Sequence, residues 1–296
     1  MLGLCLAAVT ALLWGTLPVI TKLLVNWVDV YTLAWVRFLV AGVLLMPILV
    51  RRNQWRALLV VRKMPGLMAI CILGLSGNNL AYISSLKFVS PGAAQVVIQL
   101  SPAFVLFGGL VIFKEHFGRI QWLGFFTLIL GMALFFNQRY DILVNAENAY
   151  VWGMMLVVAA ALMWAAYILA QKQLQTALSP EAILFMVYMI SAFLLLPLAR
   201  PFTLVELSAN RWLLLLAFCI MTVVSYVSFG TALNHLEASR SGVIVAVTPL
   251  ITVGVSRLAM PLFPDLMEVE PLNMLSLIGA GLVVIGSSLS TLSRSD

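Results

Sequence analysis

Long apolar stretches separated by short polar links run through the whole chain. About 20 apolar residues in an α-helix cross a hydrocarbon core roughly 30 Å thick, so each stretch has the length of one transmembrane helix. The ten stretches cover residues 3–22, 30–50, 65–86, 91–113, 121–137, 150–171, 181–199, 212–234, 240–260 and 272–292. The pattern predicts an all-α membrane protein with ten transmembrane helices.

The composition agrees with this pattern and excludes a water-soluble fold. Hydrophobic residues make up 63% of the 296 and charged residues 9%, whereas soluble domains carry about 25% charged residues. Ten spans with short links use nearly the whole length, so we expect no separate soluble domain. The apolar run at 2–21 has no basic leader and no convincing cleavage site, and we interpret it as the first span rather than a signal peptide.

The basic residues lie in the links and predict the orientation. The second link alone carries Arg51, Arg52, Arg56, Arg62 and Lys63. Because short loops rich in Lys and Arg stay on the cytoplasmic side, both termini are predicted to be cytoplasmic. The net charge of +6 forms no basic stripe, so we expect no nucleic-acid partner.

The three cysteines indicate no metal or redox chemistry. Cys5, Cys71 and Cys219 lie in apolar runs, without the close spacing of a metal site or a disulfide framework. We interpret them as packing residues and expect neither a metal nor a cofactor.

The two halves of the chain share an ordered set of residues. The run Ala11–Trp14 recurs at 161–164, and Lys22 recurs as Lys172 at the same offset. Further along, Ser101 and Pro102 align with Thr248 and Pro249, and Gly124 and Gly131 align with Gly279 and Gly286. Chance explains shared Leu and Ala between apolar helices, but ordered matches of Trp, Lys, Pro and Gly favour a duplication.

A duplicated unit of five spans has a definite consequence for the architecture. An odd number of spans makes the second copy enter the membrane from the opposite side, so the repeats are inverted, as in many secondary transporters. We therefore predict two inverted five-helix repeats, residues 1–140 and 150–296, around a central cavity. The same symmetry places Lys22 and Lys172 at opposite mouths of one pathway, where we consider them gating candidates.

These features resemble the drug/metabolite transporter superfamily, and in particular its ten-helix EamA-type exporters. The resemblance covers nearly the whole chain. It rests on Trp14, Gly15, Arg37, Phe38, Ala41, Gly42, Pro102, Lys114, Glu115, Gly124, Trp164, Pro249, Glu270, Pro271 and Gly279. It implies a basket in which helices 1, 3, 4, 6, 8 and 9 surround the cavity and helices 5 and 10 pack outside. The lengthened segment Met260–Val269 departs from the tight link usual in the family.

Polar residues inside the spans are the candidates for binding a substrate. Uncharged polar groups in a bilayer need either an interhelical partner or a hydrated cavity. In the first half the candidates are Asn78, Asn79, Tyr82, Gln95 and Gln99, of which the two glutamines lie one turn apart on one helix face.

Aromatic and hydroxyl residues give a second set of candidates. These are Trp14, Trp164, Tyr167, Ser225, Tyr226 and Ser228. Such a mixture suits a partly apolar organic solute. The alternative for every residue in both sets is structural, since Asn and Ser often join membrane helices and Trp and Tyr often mark the interface.

Two prolines and one arginine complete the candidates. Pro102 and Pro249 break backbone hydrogen bonding within helices 4 and 9, and such kinks serve either gating or packing alone. Arg37 lies well inside helix 2. We favour a structural or topological role for it over a counter-charge for an anionic substrate. No Asp or Glu lies near the centre of a span, which favours facilitated diffusion or exchange over proton coupling.

The sequence therefore predicts a transporter that moves amino acids or related small organic metabolites by alternating access. We expect a monomer in a bacterial inner membrane, with the lipid bilayer and a small-molecule substrate as its partners. A nucleotide-sugar or other phosphorylated-solute carrier of the same superfamily is the alternative substrate class. A channel or an intramembrane enzyme is the alternative of another kind, but the chain carries no HExxH or GxSxG motif and no paired intramembrane aspartates.

Overall fold

The computed structural model describes residues 2–51, 64–114, 118–140, 148–233, 235, 243–266 and 272–291. Within these ranges it contains seven helices long and apolar enough to cross a membrane, three shorter apolar helices and no strand. The predicted all-α membrane fold is confirmed. Several residues of the predictions lie outside the described ranges, namely Arg52, Arg56, Arg62, Lys63, Glu115, Glu270 and Pro271.

The ten spans follow the predicted order. Spans 1 to 5 are Leu2–Leu24, Val30–Arg51, Pro65–Ser85, Pro91–Phe113 and Arg119–Phe135. Spans 6 to 10 are Ala149–Leu174, Pro180–Leu195, Ala209–Leu233, Val243–Ala259 and Met274–Thr291. A short 3-10 helix, Pro201–Glu206, lies in the link before span 8.

Two spans begin with the same local signal. The Ser90 hydroxyl accepts a hydrogen bond from the backbone N–H of Ala93, and Pro91 takes the first position of span 4. Ser179 accepts from Ala182 in the same way before Pro180 in span 7. Such caps satisfy an N–H that has no partner inside the helix, while proline has no N–H to lose.

The packing of the spans has twofold symmetry. Span 3 packs against span 6 as span 1 packs against span 8, and span 4 meets span 6 as span 9 meets span 1. Spans 2 and 7, spans 4 and 9, and spans 5 and 10 pair with their own equivalents. This arrangement is the one that two inverted five-helix repeats require.

Spans 5 and 10 approach each other through glycines. A methyl group at Gly131 would lie 2.8 Å from the Gly279 carbonyl oxygen, and one at Gly286 would lie 2.7 Å from the Gly124 carbonyl oxygen. Gly131 of span 5 thus faces Gly279 of span 10, and Gly124 faces Gly286. Because the repeat aligns Gly124 with Gly279 and Gly131 with Gly286, the two contacts are equivalent by symmetry. Small residues let membrane helices pack closely where no hydrophobic force drives them together.

We expect Gly279→Ala to weaken this interface. The added Cβ would lie 2.4 Å from the Phe135 backbone nitrogen and 2.6 Å from the Gly131 carbonyl oxygen. Overpacking of this kind costs about 1–3 kcal/mol and should lower the thermal unfolding midpoint in detergent. Gly281→Ala on the same helix is the matched control, because its Cβ meets no atom within 4 Å. Equal losses in both variants would contradict the proposed packing.

Candidate functional site

Spans 4 and 9 are both interrupted near their prolines. The α-helix of span 4 is interrupted at Ile98 and Gln99, which are four and three residues before Pro102. Pro102 lacks an N–H for the Ile98 carbonyl, which instead accepts from the backbone N–H of Ser101 at 2.9 Å and from its hydroxyl at 2.6 Å. Span 9 turns at 246–247, immediately before Thr248 and Pro249.

The two interruptions meet in the membrane. The Gln99 side-chain amide donates a hydrogen bond of 2.9 Å to the Ala246 carbonyl oxygen. Both residues are three positions before their prolines, so they are equivalent in the two repeats. Gln99 is 8% exposed, and its amide supplies a partner to a carbonyl that the turn frees.

The other polar candidates of spans 3 and 4 also have protein partners. Asn78 donates to the Ala160 carbonyl of span 6 at 2.8 Å, and Asn79 donates to Leu75 on its own helix at 2.8 Å. The Tyr82 hydroxyl donates to the Gln95 side-chain oxygen at 2.7 Å. These bonds join helices and fix side chains. Contact of these residues with a substrate stays a prediction.

The aromatic candidates form one cluster between spans 1, 6 and 8. The ring centroids of Trp14 and Tyr226 are 5.5 Å apart, and Trp164 lies 6.3 Å from each of them. Tyr167 extends the cluster, 5.4 Å from Trp164, and Phe229 lies 5.1 Å from Trp14. Trp14, Trp164 and Tyr226 are only half-buried although they lie between helices.

The serines of span 8 occupy more ordinary positions. Ser225 and Ser228 are buried, and the Ser225 hydroxyl donates to the Thr222 carbonyl on its own helix. The Ser225 carbonyl also accepts a hydrogen bond from the Thr10 hydroxyl of span 1 at 3.4 Å. Such contacts are typical of packed membrane helices.

Span 7 contributes Tyr188, which the sequence analysis did not name, and span 2 contributes Arg37, which it did. The Tyr188 ring lies 6.3 Å from Tyr226 and stacks on Phe38 at 5.7 Å. The Arg37 guanidinium carbon lies 5.1 Å from the centre of the Phe218 ring. The available signal was a phenol near the middle of span 7, a polar group that a lipid-facing position would not favour.

The two lysines predicted as gating candidates differ in their surroundings. Lys22 is 7% exposed and donates to the Leu86 carbonyl at 2.7 Å, in the link between spans 3 and 4. It also lies 3.4 Å from the Val89 carbonyl. Lys172, its equivalent in the second repeat, is exposed, with its Nζ 4.7 Å from the centre of the Phe113 ring.

An apolar groove of about 450 Å³ opens between spans 3, 4 and 6, near the end of span 6. Leu67, Gly108, Ile112, Leu169 and Gln173 lie along its wall. This half of the membrane contains the last turns of spans 4 and 6 and the first turns of span 3.

The symmetry-related groove is filled. The repeat offsets relate those five wall residues to Leu214, Val255, Ala259, Val19 and Leu23. These five residues pack together in one hydrophobic cluster between spans 1, 8 and 9. Phe263 and Leu266, from the lengthened segment Met260–Val269, pack against the same cluster. At equivalent positions the two repeats therefore differ: a groove lies between spans 3, 4 and 6, and side chains pack together between spans 1, 8 and 9.

Comparisons with known proteins agree with this architecture. The model of the EamA-like transporter family matches residues 1–137 and 151–292. An uncharacterized transporter of Haemophilus influenzae is 35% identical over 292 residues, covering 99% of this chain and 95% of the relative. The uncharacterized inner membrane transporter YhbE of Escherichia coli K12 is 35% identical over 295 residues, covering 98% and 91%.

A solved crystal structure supports the fold alone. It has a TM-score of 0.65 at 17% identity and covers 97% of this chain and 96% of its own. The family model and the relatives identify an integral membrane transporter. The chain belongs to the EamA-like transporter family.

We expect Gln99→Leu to destabilise the protein. The substitution leaves the buried Ala246 carbonyl without its partner, which costs about 1–3 kcal/mol. Thermal unfolding in detergent measures the loss. Gln171→Leu, a half-buried position on span 6 with no side-chain hydrogen bond among the described residues, should leave the midpoint nearly unchanged. An unchanged midpoint for Gln99→Leu would exclude the bridge between spans 4 and 9 as a stabilising contact.

Proposed function

We propose that this protein is a secondary transporter that moves amino acids or related small organic metabolites by alternating access. In this proposal it works as a monomer in a bacterial inner membrane with both termini in the cytoplasm. The inner membrane is the location printed in the name of the Escherichia coli relative. The basic second link supports the orientation.

One observation carries the mechanism: the two symmetry-related grooves are in different states. The groove between spans 3, 4 and 6 is open, while its equivalent between spans 1, 8 and 9 is packed with side chains. Two nearly equivalent units in unequal conformations can exchange them, which reverses the side of access. With cytoplasmic termini, the present state faces inward.

The lysines fit the same interpretation. Buried Lys22 ties the end of span 1 to the link between spans 3 and 4 on the closed side. Exposed Lys172 occupies the corresponding place on the open side. Burying an ammonium is costly unless carbonyls or counter-charges satisfy it, so the Lys22 contact stabilises the state in which its carbonyls are in reach.

The chemistry of the interior supports an organic solute without strong ion coupling. The aromatic cluster offers apolar faces rather than a set of phosphate-binding cations. Among the described residues, the carboxylates Asp29, Glu181, Glu206 and Asp265 lie at or beyond span ends. This arrangement favours facilitated diffusion or exchange, and it gives less support to a carrier of nucleotide sugars.

Cysteine reactivity tests the alternating states. In a variant with Cys5, Cys71 and Cys219 replaced by Ala, we expect Gln173→Cys to react with a water-soluble maleimide at least tenfold faster than Leu23→Cys. Gln173 lines the open groove, and Leu23 is 3% exposed in the closed one. Adding Lys22→Ala should speed labelling at position 23 and slow it at position 173. Labelling rates that do not change in the Lys22→Ala variant would contradict a gating role for the lysine contact.

Transport itself is tested by counterflow. Proteoliposomes loaded with unlabelled L-leucine or L-phenylalanine should transiently accumulate the same labelled amino acid, because a carrier exchanges solute faster than the gradient decays. Liposomes without protein are the control. Ohmic single-channel current, or uptake that never saturates, would exclude a carrier.

A further inference from the structure

Arg37 is a charged residue in an unusual place. It lies seven residues after Val30, the first residue of span 2, which at about 1.5 Å per residue is roughly 10 Å into the membrane. Its side chain is half-buried, and it faces span 8 rather than lipid, because its guanidinium lies over the Phe218 ring at 5.1 Å. A charge at a span centre costs at least about 2.5 kcal/mol on insertion scales.

No described residue supplies a counter-charge to Arg37. Within the described residues Arg37 makes no hydrogen bond and no ion pair, and Phe218 is its one ring contact. A cation–π contact is worth about 0.5–2 kcal/mol and uses none of the five N–H donors. The donors therefore remain available to water or to a ligand.

A second unused donor lies on span 7. Among the described residues the buried Tyr188 hydroxyl has no hydrogen-bond partner, and the residue as a whole is 3% exposed. The Tyr188 ring stacks at 5.7 Å on Phe38, the residue that follows Arg37, so both side chains come from the same region of spans 2 and 7. A buried hydroxyl without a partner costs about 1–3 kcal/mol, so the fold tolerates two unsatisfied donor groups at one place.

The neighbouring wall is apolar and aromatic. Tyr226 contacts Tyr188 on one side and both Trp14 and Trp164 on the other. The two tryptophans are half-buried, so their rings are not fully covered by protein side chains. The donors and the aromatic faces thus lie at adjacent ends of one cluster, which suits a ligand with an anionic end and an apolar body.

We propose that Arg37 and Tyr188 bind the carboxylate of a small organic monocarboxylate whose apolar body lies against Trp14 and Trp164. This deepens the proposed transport function and rests on it. A planar carboxylate accepts two parallel N–H bonds from one guanidinium, and a phenol donates a third. A phosphorylated solute carries more charge and calls for more than one cation.

The amino group of an amino acid has no such complement. Among the described residues the carboxylates lie at or beyond span ends, with Glu181 in the first turn of span 7, so an ammonium group beside the aromatic cluster would meet aromatic faces rather than a carboxylate. The carboxylate is therefore the required group and the amine is dispensable. A deaminated acid should bind about as tightly as the amino acid with the same body.

Ligand binding to purified protein tests this assignment without requiring transport. The probes are 3-phenylpropionate, its uncharged amide 3-phenylpropionamide, and L-phenylalanine, each titrated in a thermal-shift assay in detergent. Stabilisation grows with the ratio of ligand concentration to Kd, so the titration reports affinity. We expect both carboxylates to stabilise the protein and the amide to bind at least tenfold more weakly. Equal binding of 3-phenylpropionate and its amide would overturn the proposal.

Three variants assign the effect to the two donors. Arg37→Gln should remove the preference for the acid over the amide. Tyr188→Phe should weaken 3-phenylpropionate binding about 3- to 10-fold while leaving the unliganded midpoint unchanged or higher, because its hydroxyl has no protein partner to lose. Tyr31→Phe, at an exposed tyrosine, is the matched control with unchanged affinity.

Two further outcomes separate this proposal from the transport mechanism. If Arg37→Gln and Tyr188→Phe both keep the preference for the acid, the carboxylate site is wrong. Counterflow and the labelling at positions 23 and 173 then still test the transport mechanism independently. If the acid binds as expected but counterflow is absent, the site is supported and the transport mechanism fails.

Discussion

The absence of water from the bilayer core is the constraint on which this structure depends. Each polar group in a span must find a partner inside the protein or border a hydrated space. The chain meets this requirement almost everywhere: Ser101 takes the carbonyl that Pro102 leaves, Gln99 reaches the freed carbonyl of Ala246, and Lys22 donates to the Leu86 carbonyl. Among the described residues, Arg37 makes no hydrogen bond, and the buried hydroxyls of Tyr188, Ser191 and Ser256 have no partner either. Arg37 and Tyr188 are the two of these that lie near the aromatic cluster.

Twofold symmetry explains why one chain can hold two states. Contacts between equivalent spans, such as the glycine contacts of spans 5 and 10, are common to both access states. They need not change when access reverses. The two groups of three spans that the symmetry axis relates are packed differently. Spans 3, 4 and 6 border a groove, whereas side chains pack together between spans 1, 8 and 9. The lengthened segment adds Phe263 and Leu266 to the closed side, so the two repeats are alike but not equal.

The polar and aromatic side chains of the interior divide into a part that is hydrogen-bonded to the protein and a part whose rings are only half-buried. The amides of spans 3 and 4 belong to the first part, because each donates or accepts a hydrogen bond with the protein. The aromatic cluster belongs to the second, with half-buried rings between three spans. The structural or topological role favoured for Arg37 from sequence alone stays a prediction, and among the described residues its one ring contact is Phe218.

The spans, their order and the inverted repeat were within reach of the sequence. Hydropathy determines span existence because apolar length is what a bilayer selects, and an odd number of spans per copy determines inversion by counting alone. Local signals such as Ser90 before Pro91 also act within a few residues. The convergence of Trp14, Trp164, Tyr188 and Tyr226 depends instead on helix rotation and crossing, which packing between distant segments decides. Likewise, two grooves of similar composition cannot be told apart by sequence. Only the tertiary structure decided which one is filled and that Arg37 lies over the Phe218 ring of span 8, because these are properties of contacts between helices far apart in the chain.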